Sequence, residues 1–321
     1  MSNGFFVFKK EKDMNLKGKD FINLEDFKKE ELYELTELAS ILKAKVKNNE
    51  KIDICKNKTL LIFFEKPSLR TRLSFETGIV KLGGTPLYIT KEECAPGKRE
   101  SIEDTARVMA KYVDGMAIRT FAHSTLEKFA QWSSVPVINS LTDKSHPCQI
   151  MADILTIKEH FGNYTGKKLA YIGDGNNVLH SLLIGCSMFG INISCACPSG
   201  YKAPEDAVSL AKKYSKETAS TVEILEDPKK AVQDADIIYT DTWTSMGQEK
   251  EANVRKKAFK NYQVNEQLLQ NASKKHIVMH CLPAHKGEEI DYDTFEKHAD
   301  ILFNQAENRR YAQMAIMASI M

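Results

Sequence analysis

The sequence lacks paired cysteines, long apolar runs and a strong net charge, and each of these absences excludes a class of protein. Its seven cysteines, at positions 55, 94, 148, 186, 195, 197 and 281, form no Cys-x-x-Cys pair, which predicts reduced thiols in a cytoplasmic protein. No apolar run approaches the ~20 residues that span a bilayer, and no signal-peptide core is expected. The net charge of +2 predicts neither a nucleic-acid nor a membrane partner.

The chain does contain an alternation of short apolar runs and amphipathic segments, and its 321 residues are enough for two α/β domains. Strands are predicted at residues 60–64, 87–89, 116–119, 135–139, 169–172, 193–196, 222–225, 237–240 and 277–280. Helices are predicted at residues 24–46, after Arg70, after Ser101, and at 149–161, 178–189, 205–214 and 307–320, with a polar loop at 92–99. This order predicts an α/β fold of two doubly wound parallel-sheet domains, with the helix at 149–161 joining them.

The junction between the first strand and its helix carries the most informative motif, Ser68-Leu-Arg-Thr-Arg72. The start of a helix exposes unpaired N–H groups at the positive end of the helix dipole. Two arginines in that turn oppose the dipole, and therefore require an anion close by. Together with the hydroxyl groups, they predict a phosphate site. The alternative, an N-capped helix with solvated arginines, would explain Ser68 and Thr71 but not the two cations.

Polar motifs also follow several other predicted strands. These are Arg119, His146-Pro-Cys-Gln149, Gly173-Asp-Gly-Asn-Asn177, Asp241-Thr-Trp-Thr-Ser-Met-Gly247 and His280-Cys-Leu-Pro283. A lone histidine is more often a packed residue than a functional one. Because ligands bind at the carboxyl ends of parallel strands, the repetition of polar motifs there predicts a cleft between the two domains.

Three further patterns do not meet the requirements of the sites that they suggest. Gly173-Asp-Gly175 has Val178 where a dinucleotide loop needs its third glycine, and no acidic residue ends the following strand. The segment from Gly162 to Lys168 does not fit a P-loop, since its glycines are too close together. Cys195-x-Cys197 and His280-Cys281 lack the spacing of zinc ligands. Neither a cofactor nor a metal is therefore expected.

The motifs Ser68-Leu-Arg-Thr-Arg72, His146-Pro-Cys-Gln149 and His280-Cys-Leu-Pro283 resemble those of the aspartate/ornithine carbamoyltransferases, in the same order. Asp241 with Ser245-Met-Gly247 resembles the ornithine-binding loop of that family. The resemblance implies a carbamoyl-phosphate-binding domain at 14–147, onto which a C-terminal helix at 305–321 packs back, and an ornithine-binding domain at 148–304. It also implies a homotrimer or a multiple of trimers. Residues 1–13 precede the resemblance and are interpreted as an N-terminal extension.

The same resemblance implies roles for individual residues. It assigns carbamoyl phosphate to Ser68, Leu69, Arg70, Thr71, Arg119, His146, Gln149, Cys281, Leu282 and Arg309. It assigns L-ornithine to Asn177, Asp241, Ser245 and Met246. The residues implied to act in catalysis are Arg119, His146 and Cys281. The implied reaction converts carbamoyl phosphate and L-ornithine into L-citrulline and phosphate.

One residue departs from the family pattern, because position 69 is leucine where threonine is usual. The lost hydroxyl removes one donor to phosphate, worth roughly 1–2 kcal/mol if nothing replaces it. Aspartate and putrescine remain alternative acceptors, since their carbamoyltransferases share the phosphate motifs. A metabolite-binding relative without activity and a dinucleotide-dependent oxidoreductase are the alternatives from other classes.

Overall fold

The computed structural model describes residues 16–244 and 249–321. The predicted extension at 1–13, the predicted domain start at 14, and Ser245 and Met246 of the predicted ornithine loop lie outside the described residues. The strands are β1 Thr59–Phe64, β2 Thr85–Thr90, β3 Gly115–Arg119, β4 Val137–Leu141, β5 Lys168–Ile172, β6 Asn192–Ala196, β7 Val222–Leu225, β8 Ile237–Thr240 and β9 Ile277–His280.

The first group of helices comprises α1 Lys29–Lys47, α2 Leu69–Lys81, α3 Lys91–Cys94, α4 Ile102–Met109, α5 His123–Trp132, α6 Pro147–Phe161 and α7 Asn177–Met188. The second comprises α8 Glu205–Thr218, α9 Pro228–Val232, α10 Ala252–Ala258, α11 Glu266–Leu269, α12 Tyr292–Lys297 and α13 Ala299–Ile320. Short 3-10 turns lie at Leu24–Asp26 and Glu249–Glu251.

Two parallel sheets organise these elements, in the orders β2-β1-β3-β4 and β7-β6-β5-β8-β9. Both are covered on two faces, as the near-continuous apolar strands require. In β1, Leu60 and Ile62 enter one core cluster, whereas Leu61 and Phe63 enter another on the opposite face. The predicted fold class of two doubly wound parallel sheets is confirmed.

One hydrophobic core continues from the first sheet into the second. Its members include Ile62 of β1, Ile154 of α6, Leu169 of β5 and Met314 of α13. Helix α13 packs against α6, α1 and α2, and it also contacts β9. Helices α6 and α13 therefore join the two halves, and they place the carboxyl ends of β1, β3, β8 and β9 around one cleft.

Some predicted helices differ from the observed ones. The helix predicted at 24–46 is interrupted, because Phe27 and Lys28 are extended before α1 begins. Helix α13 begins at Ala299, eight residues before the predicted start at residue 307. The loop predicted at 92–99 contains the short helix α3, and α2 leaves Leu73 and Val80 exposed.

The last helix shows why its start was hard to predict. Its buried residues include Gln305, Asn308, Arg309 and Gln313 as well as apolar side chains. A helix that buries polar residues between two domains lacks the apolar stripe on which sequence prediction depends. Among the described helices, none combines the length and the hydrophobicity that crossing a membrane would require.

Candidate active site

A cleft of about 870 Å³ opens between the two halves at the carboxyl ends of the strands. The predicted site residues that line it are Ser68, Leu69, Arg70, Arg119, His146, Asn177, Asp241, Cys281, Leu282 and Arg309. Thr71 and Gln149 are buried and do not line the cleft; Thr71 hydrogen-bonds to Ser68 of the lining, and Gln149 hydrogen-bonds to Asp153. The structure thus brings together residues that are more than 200 positions apart in the sequence.

The hydroxyl of Thr71 is the centre of the first side of the cleft. It accepts a hydrogen bond from Arg309 Nη2 at 2.7 Å and another from the Ser68 hydroxyl at 2.9 Å. Arg119 Nη1 lies 3.5 Å from the same oxygen. Ser68 is the N-cap of α2, but its side chain accepts no N–H from the helix. The first turn of α2 therefore keeps N–H groups for a ligand.

Arg70, Arg119 and Arg309 form a cluster of like charges. None of the ion pairs found among residues 16–244 and 249–321 involves any of the three. Burial, and then the charges of Arg309 and Arg70, lower the pKa of Arg119 to about 10. The Nε atoms of Arg119 and Arg309 are buried and find no hydrogen-bond partner within the described residues. Such a cluster is electrostatically complementary to a multiply charged anion.

Arg72 differs from Arg70 although it belongs to the same motif. Its Nε pairs with Glu76 Oε1 at 2.9 Å, and its guanidinium lies 3.9 Å from the centre of the Tyr88 ring. Its side chain is exposed and does not line the cleft. Only one of the two arginines on which the sequence argument rested is therefore placed to bind an anion there.

His146 and Gln149 enter the site from the first turn of α6. The backbone N–H of His146 donates to Ser181 Oγ at 2.8 Å, which anchors this end of the helix to α7. Burial lowers the pKa of His146 well below its usual value, and the charges of Arg309 and Arg119 lower it further. The imidazole is therefore neutral, and its Nδ1 has no partner. Gln149 donates through Nε2 to Asp153, whereas its Oε1 has no partner.

Asp241 and Cys281 face these groups from the ends of β8 and β9. The Cys281 thiol donates to Asp241 Oδ1 at 3.0 Å, and Asn176 Nδ2 donates to Asp241 Oδ2 at 2.7 Å. Burial, followed by the neighbouring Asp241 charge, raises the pKa of Cys281 well above its usual value. The group that faces the cleft is consequently a thiol, and a thiol is a weak nucleophile.

The two asparagines of the Gly173–Asn177 loop have different contacts. Asn177 Nδ2 donates to the Thr142 carbonyl at 2.7 Å, which links the loop to the end of β4. Asn176 caps α7 through Oδ1 and holds Asp241 through Nδ2. Sequence reasoning missed this role of Asn176, although an asparagine immediately before a helix is a typical N-cap. Gly175 is required here, since a Cβ would lie 2.4 Å from the Lys202 backbone.

The segment after β9 has an unusual backbone. Leu282 has a φ of +55°, in the left-handed region that leucine rarely adopts, and such residues are concentrated at functional sites. Its N–H donates to His280 Nδ1 at 2.8 Å. The proton of His280 must therefore be on Nε2, which donates to Glu289 Oε1 at 3.0 Å. This hydrogen bonding fixes the turn that carries Cys281 and Leu282.

Asp241, His280 and Cys281 bring three potential metal-ligand atoms within 4.8 Å of one another, a proximity that the sequence spacing did not reveal. Both nitrogens of His280 are already used, by Glu289 and by the Leu282 N–H. The remaining two groups are hydrogen-bonded to each other. Their contacts therefore suit substrate positioning better than they suit an ion.

A buried ion pair supports the loop that ends outside the described residues. Arg255 Nη1 donates to Asp174 Oδ2 and to the Trp243 carbonyl, each at 2.9 Å. Burial raises the pKa of Asp174 to about 6, although Arg255 lowers it in part. The pair links the backbone at Trp243 to the Gly173–Asn177 loop. Sequence analysis missed it, because the partners are 81 residues apart.

Comparisons with known proteins agree with this geometry. Residues 19–159 match the carbamoyl-P binding domain of the aspartate/ornithine carbamoyltransferases, and residues 165–320 match their Asp/Orn binding domain. An ornithine carbamoyltransferase of Symbiobacterium thermophilum is 48% identical over 306 residues, covering 95% of this chain and 99% of the relative. That of Anoxybacillus flavithermus is 47% identical over 308 residues, covering 96% and 98%.

A solved structure gives the same result. The ornithine carbamoyltransferase from Pyrococcus furiosus superimposes with a TM-score of 0.93 at 43% sequence identity, covering 96% of this chain and 98% of that one. The identity and the coverage are far above what a shared fold alone would produce. The chain belongs to the aspartate/ornithine carbamoyltransferase family.

Proposed function

We propose that the protein transfers the carbamoyl group of carbamoyl phosphate to the δ-amine of L-ornithine, which gives L-citrulline and phosphate. The observation that carries the proposal is the pairing of two unlike surfaces across one cleft. Arg70, Arg119 and Arg309 form one surface, whose cations pair with no acidic group in the described part of the chain. Asp241 and Cys281 form the other surface, which has a carboxylate and a thiol. The first suits a phosphate, and the second suits an ammonium group with a nearby amine.

The reaction requires charge stabilisation more than covalent catalysis. The neutral δ-amine attacks the carbamoyl carbon, the new C–N bond forms, and the C–O bond to phosphate breaks. Negative charge develops on the carbonyl oxygen, where Arg119 and the neutral His146 are placed to stabilise it. Arg70 and Arg309 neutralise the departing phosphate, and the surplus proton of the amine passes to that phosphate, which leaves as hydrogen phosphate. Holding both substrates in the cleft supplies a further part of the rate acceleration.

The other site residues position the substrates. Ser68, Thr71 and the N–H groups at the start of α2, including that of Leu69, bind the phosphate oxygens. Gln149 Oε1 and the Leu282 carbonyl accept from the carbamoyl NH2 group. Cys281 orients the amine and shields it from water; its raised pKa supports this role over that of a nucleophile.

Ornithine is proposed to bind with its amino-acid end between two loops. Asp241 pairs with the α-ammonium group, and Asn177, Ser245 and Met246 complete this subsite. The Ser245-Met-Gly247 sequence favours ornithine over putrescine, which has no α-carboxylate, and over aspartate, which has no side-chain amine. A binding protein without activity is disfavoured, since both sides of the cleft keep reactive-site groups.

A colorimetric citrulline assay tests the proposal directly. The purified chain is supplied with carbamoyl phosphate and with ornithine, putrescine or aspartate as acceptor, and phosphate release is measured in parallel. We expect turnover with ornithine. With the other two acceptors kcat/KM should be lower by at least ~10², because each of them leaves one ionic group unpaired. Equal or better turnover with putrescine would contradict the role of Asp241 and the adjacent loop.

We further propose the domain division at 14–147 and 148–304, with residues 305–321 returning to the first domain, and a homotrimeric assembly. Exposed Leu73 and Val80 on α2, together with Leu87 on the edge strand β2, support an interface on this side. Seven free cysteines support a reducing, cytoplasmic location. Light scattering of the active enzyme tests the assembly, and a monomeric mass would contradict it.

A further inference from the structure

Asp153 is a carboxyl group buried between the two halves of the molecule, with no role in the site as described so far. It lies on α6, one turn after Gln149, and is fully buried. Its Oδ1 accepts from Gln149 Nε2 at 2.8 Å and from Gln305 Nε2 at 2.7 Å. Its Oδ2 accepts from the Tyr239 hydroxyl at 3.1 Å. One carboxyl group therefore contacts α6, α13 and β8 simultaneously.

The contact with Gln149 decides which end of its amide is available. A glutamine amide can rotate by 180° and exchange its oxygen for its NH2 group at almost the same positions. Oδ1 of Asp153 accepts two hydrogen bonds, so the group selects the orientation in which Nε2 faces it, whether it is ionised or protonated on Oδ2. Oε1 is then left as a buried acceptor without a partner among residues 16–244 and 249–321. An acceptor on the first turn of α6, beside His146, is complementary to an NH2 group.

The contact with Gln305 extends to the opposite side of the cleft. Gln305 Oε1 accepts from the backbone N–H of His280 at 2.9 Å, and its Nε2 also lies 3.2 Å from the Tyr239 hydroxyl. His280 directly precedes Cys281. If Gln305 were rotated, its NH2 group would oppose the His280 N–H, so this contact supports the same orientation of the network.

We propose that Asp153 is a positioning residue, which fixes the Gln149 amide so that its oxygen recognises the carbamoyl NH2 group. The inference rests on the proposed function, because it assumes that Gln149 binds carbamoyl phosphate. It adds a specificity determinant: Asp153 distinguishes a carbamoyl from an acetyl group without touching either. The phosphate half of the ligand is bound by other groups: among the described residues neither Arg70 nor Arg309 hydrogen-bonds to Asp153, and only the charge of Arg309 acts on it.

Two stable phosphonates isolate this effect. Phosphonoacetamide carries the carbamoyl NH2 group, and acetonylphosphonate has a methyl group at the same position. For the unaltered chain, calorimetric titration is expected to show about three- to tenfold tighter binding of the amide, as one neutral hydrogen bond produces. If the unaltered chain does not distinguish the two ligands, the assignment of Gln149 in the proposed function fails, and the inference fails with it.

Three variants then test Asp153 itself. Asp153→Leu removes the acceptor at similar volume, and its affinity ratio between the two phosphonates is expected to fall to about one. Asp153→Asn can still accept from Gln149 and Gln305 through Oδ1, so the ratio is expected to persist. Thr156→Val is the matched control: it lies on α6 one turn further on, is buried, and loses a hydrogen bond from Asn308 across the same interface.

The pattern across these variants decides the inference. The inference is supported if the affinity ratio between the two phosphonates falls to about one in Asp153→Leu and persists in Asp153→Asn and Thr156→Val. Retention in the leucine variant overturns it, as does loss in the asparagine variant or in Thr156→Val, since that would indicate a general structural effect. If Asp153→Leu does not fold, Asp153→Ser replaces it, because serine is too short to reach Gln149. The affinity for acetonylphosphonate should change less than about threefold in every one of these variants.

Discussion

The two sides of the cleft differ in how far their polar groups are already satisfied. On the phosphate side, Arg119 and Arg309 each have a buried Nε without a partner, and His146 Nδ1 is also unpaired. On the acceptor side, both oxygens of Asp241 are occupied, by Cys281 and by Asn176. The two arginines therefore lack hydrogen-bond acceptors at Nε among the described residues, whereas the Asp241 carboxylate already has a donor at each oxygen.

This difference indicates which side of the cleft contributes more of the free energy of ligand binding. Three arginines in a partly buried cluster repel one another, and an anion removes that repulsion as it binds. The acceptor side gains less, because an ammonium group must share Asp241 with two existing donors. We therefore expect substitutions on the phosphate side to have the larger effects. Substitutions on both sides of the cleft test that ranking.

Arg119→Met should have the largest effect. It removes a buried cation at the position where charge develops on the carbonyl oxygen, and kcat/KM should fall by about 10³, as for the loss of an oxyanion donor. Steady-state kinetics with both substrates measures it, and circular dichroism checks the fold. A loss smaller than about tenfold would remove Arg119 from the charge-stabilising role.

Arg70→Met and Arg72→Met form a matched pair within one motif. Arg70 lines the cleft, and its loss should weaken phosphonate or carbamoyl-phosphate binding by about 1.5–3 kcal/mol, the value of a charge-assisted hydrogen bond. Arg72 is paired with Glu76 outside the cleft, so its replacement should change affinity less than about twofold. Calorimetry on both variants makes the comparison. Equal losses of affinity in the two variants would contradict the different positions of Arg70 and Arg72, and would mean that both arginines contribute to anion binding.

Asp153, which is buried between the two halves of the molecule, should make the stability of the protein depend on pH. Burial raises the pKa of this carboxyl from 3.8 to about 7, although Gln149, Gln305, Tyr239 and Arg309 lower it in part. The pKa of Asp153 is higher in the folded chain than in the unfolded chain. Its contribution to the free energy of unfolding is therefore fully present below about pH 4 and is lost as the pH rises through about 7. Relative to Asp153→Asn, the unaltered chain should therefore lose roughly 1–3 kcal/mol of unfolding free energy between pH 5 and 8.

Urea unfolding of both proteins at the two pH values measures this difference. The asparagine variant serves as the reference, because every other titrating group is common to the two chains. A stability difference that stays constant from pH 5 to pH 8 would show that Asp153 does not titrate in this range.

Asp241→Asn should have a smaller effect, confined to the acceptor side. The variant loses the charge that faces the ornithine ammonium group, and the ornithine KM should rise about tenfold. The affinity for phosphonoacetamide should remain within about twofold, because no described hydrogen bond connects Asp241 to the arginine cluster. A change of similar size in both affinities would show that the two sides are coupled.

The strands and the phosphate-side residues could be predicted from the sequence, whereas the contacts between the two halves of the molecule could not. Each of the nine strands was located to within two residues at either end, because buried parallel strands are short, continuous apolar runs. The residues of the phosphate side stand in local motifs at strand ends. Nothing local signals the contacts that join the two halves. Asp153 and Gln305 are 152 residues apart, and their pairing depends on how α6 and α13 pack.

Local pattern also does not separate neighbouring side chains of the same type. Arg72 and Arg70 are indistinguishable by sequence argument, since both follow the N-cap of a helix. The helix rotation, which decides that one faces the cleft and the other faces Glu76 and Tyr88, follows from packing against β2. Similarly, Asn176 and Asn177 are adjacent, and only the turn before α7 reveals that Asn176 is the one that holds Asp241.

Leu69→Thr should have the smallest effect, and it tests whether the phosphate side is complete. Leu69 is the first residue of α2, lines the cleft and is 69% exposed, so a threonine there can place a hydroxyl near the phosphate without disturbing the core. One donor to the phosphate is worth roughly 1–2 kcal/mol, but a hydroxyl at an exposed site competes with water and should contribute less than this. Phosphonoacetamide affinity should therefore increase about two- to threefold. Leu69→Ala, which adds no donor, is the control, and calorimetry measures both. A tenfold gain with threonine alone would mean that the arginine cluster and the helix N–H groups leave a phosphate oxygen unbound in the natural sequence.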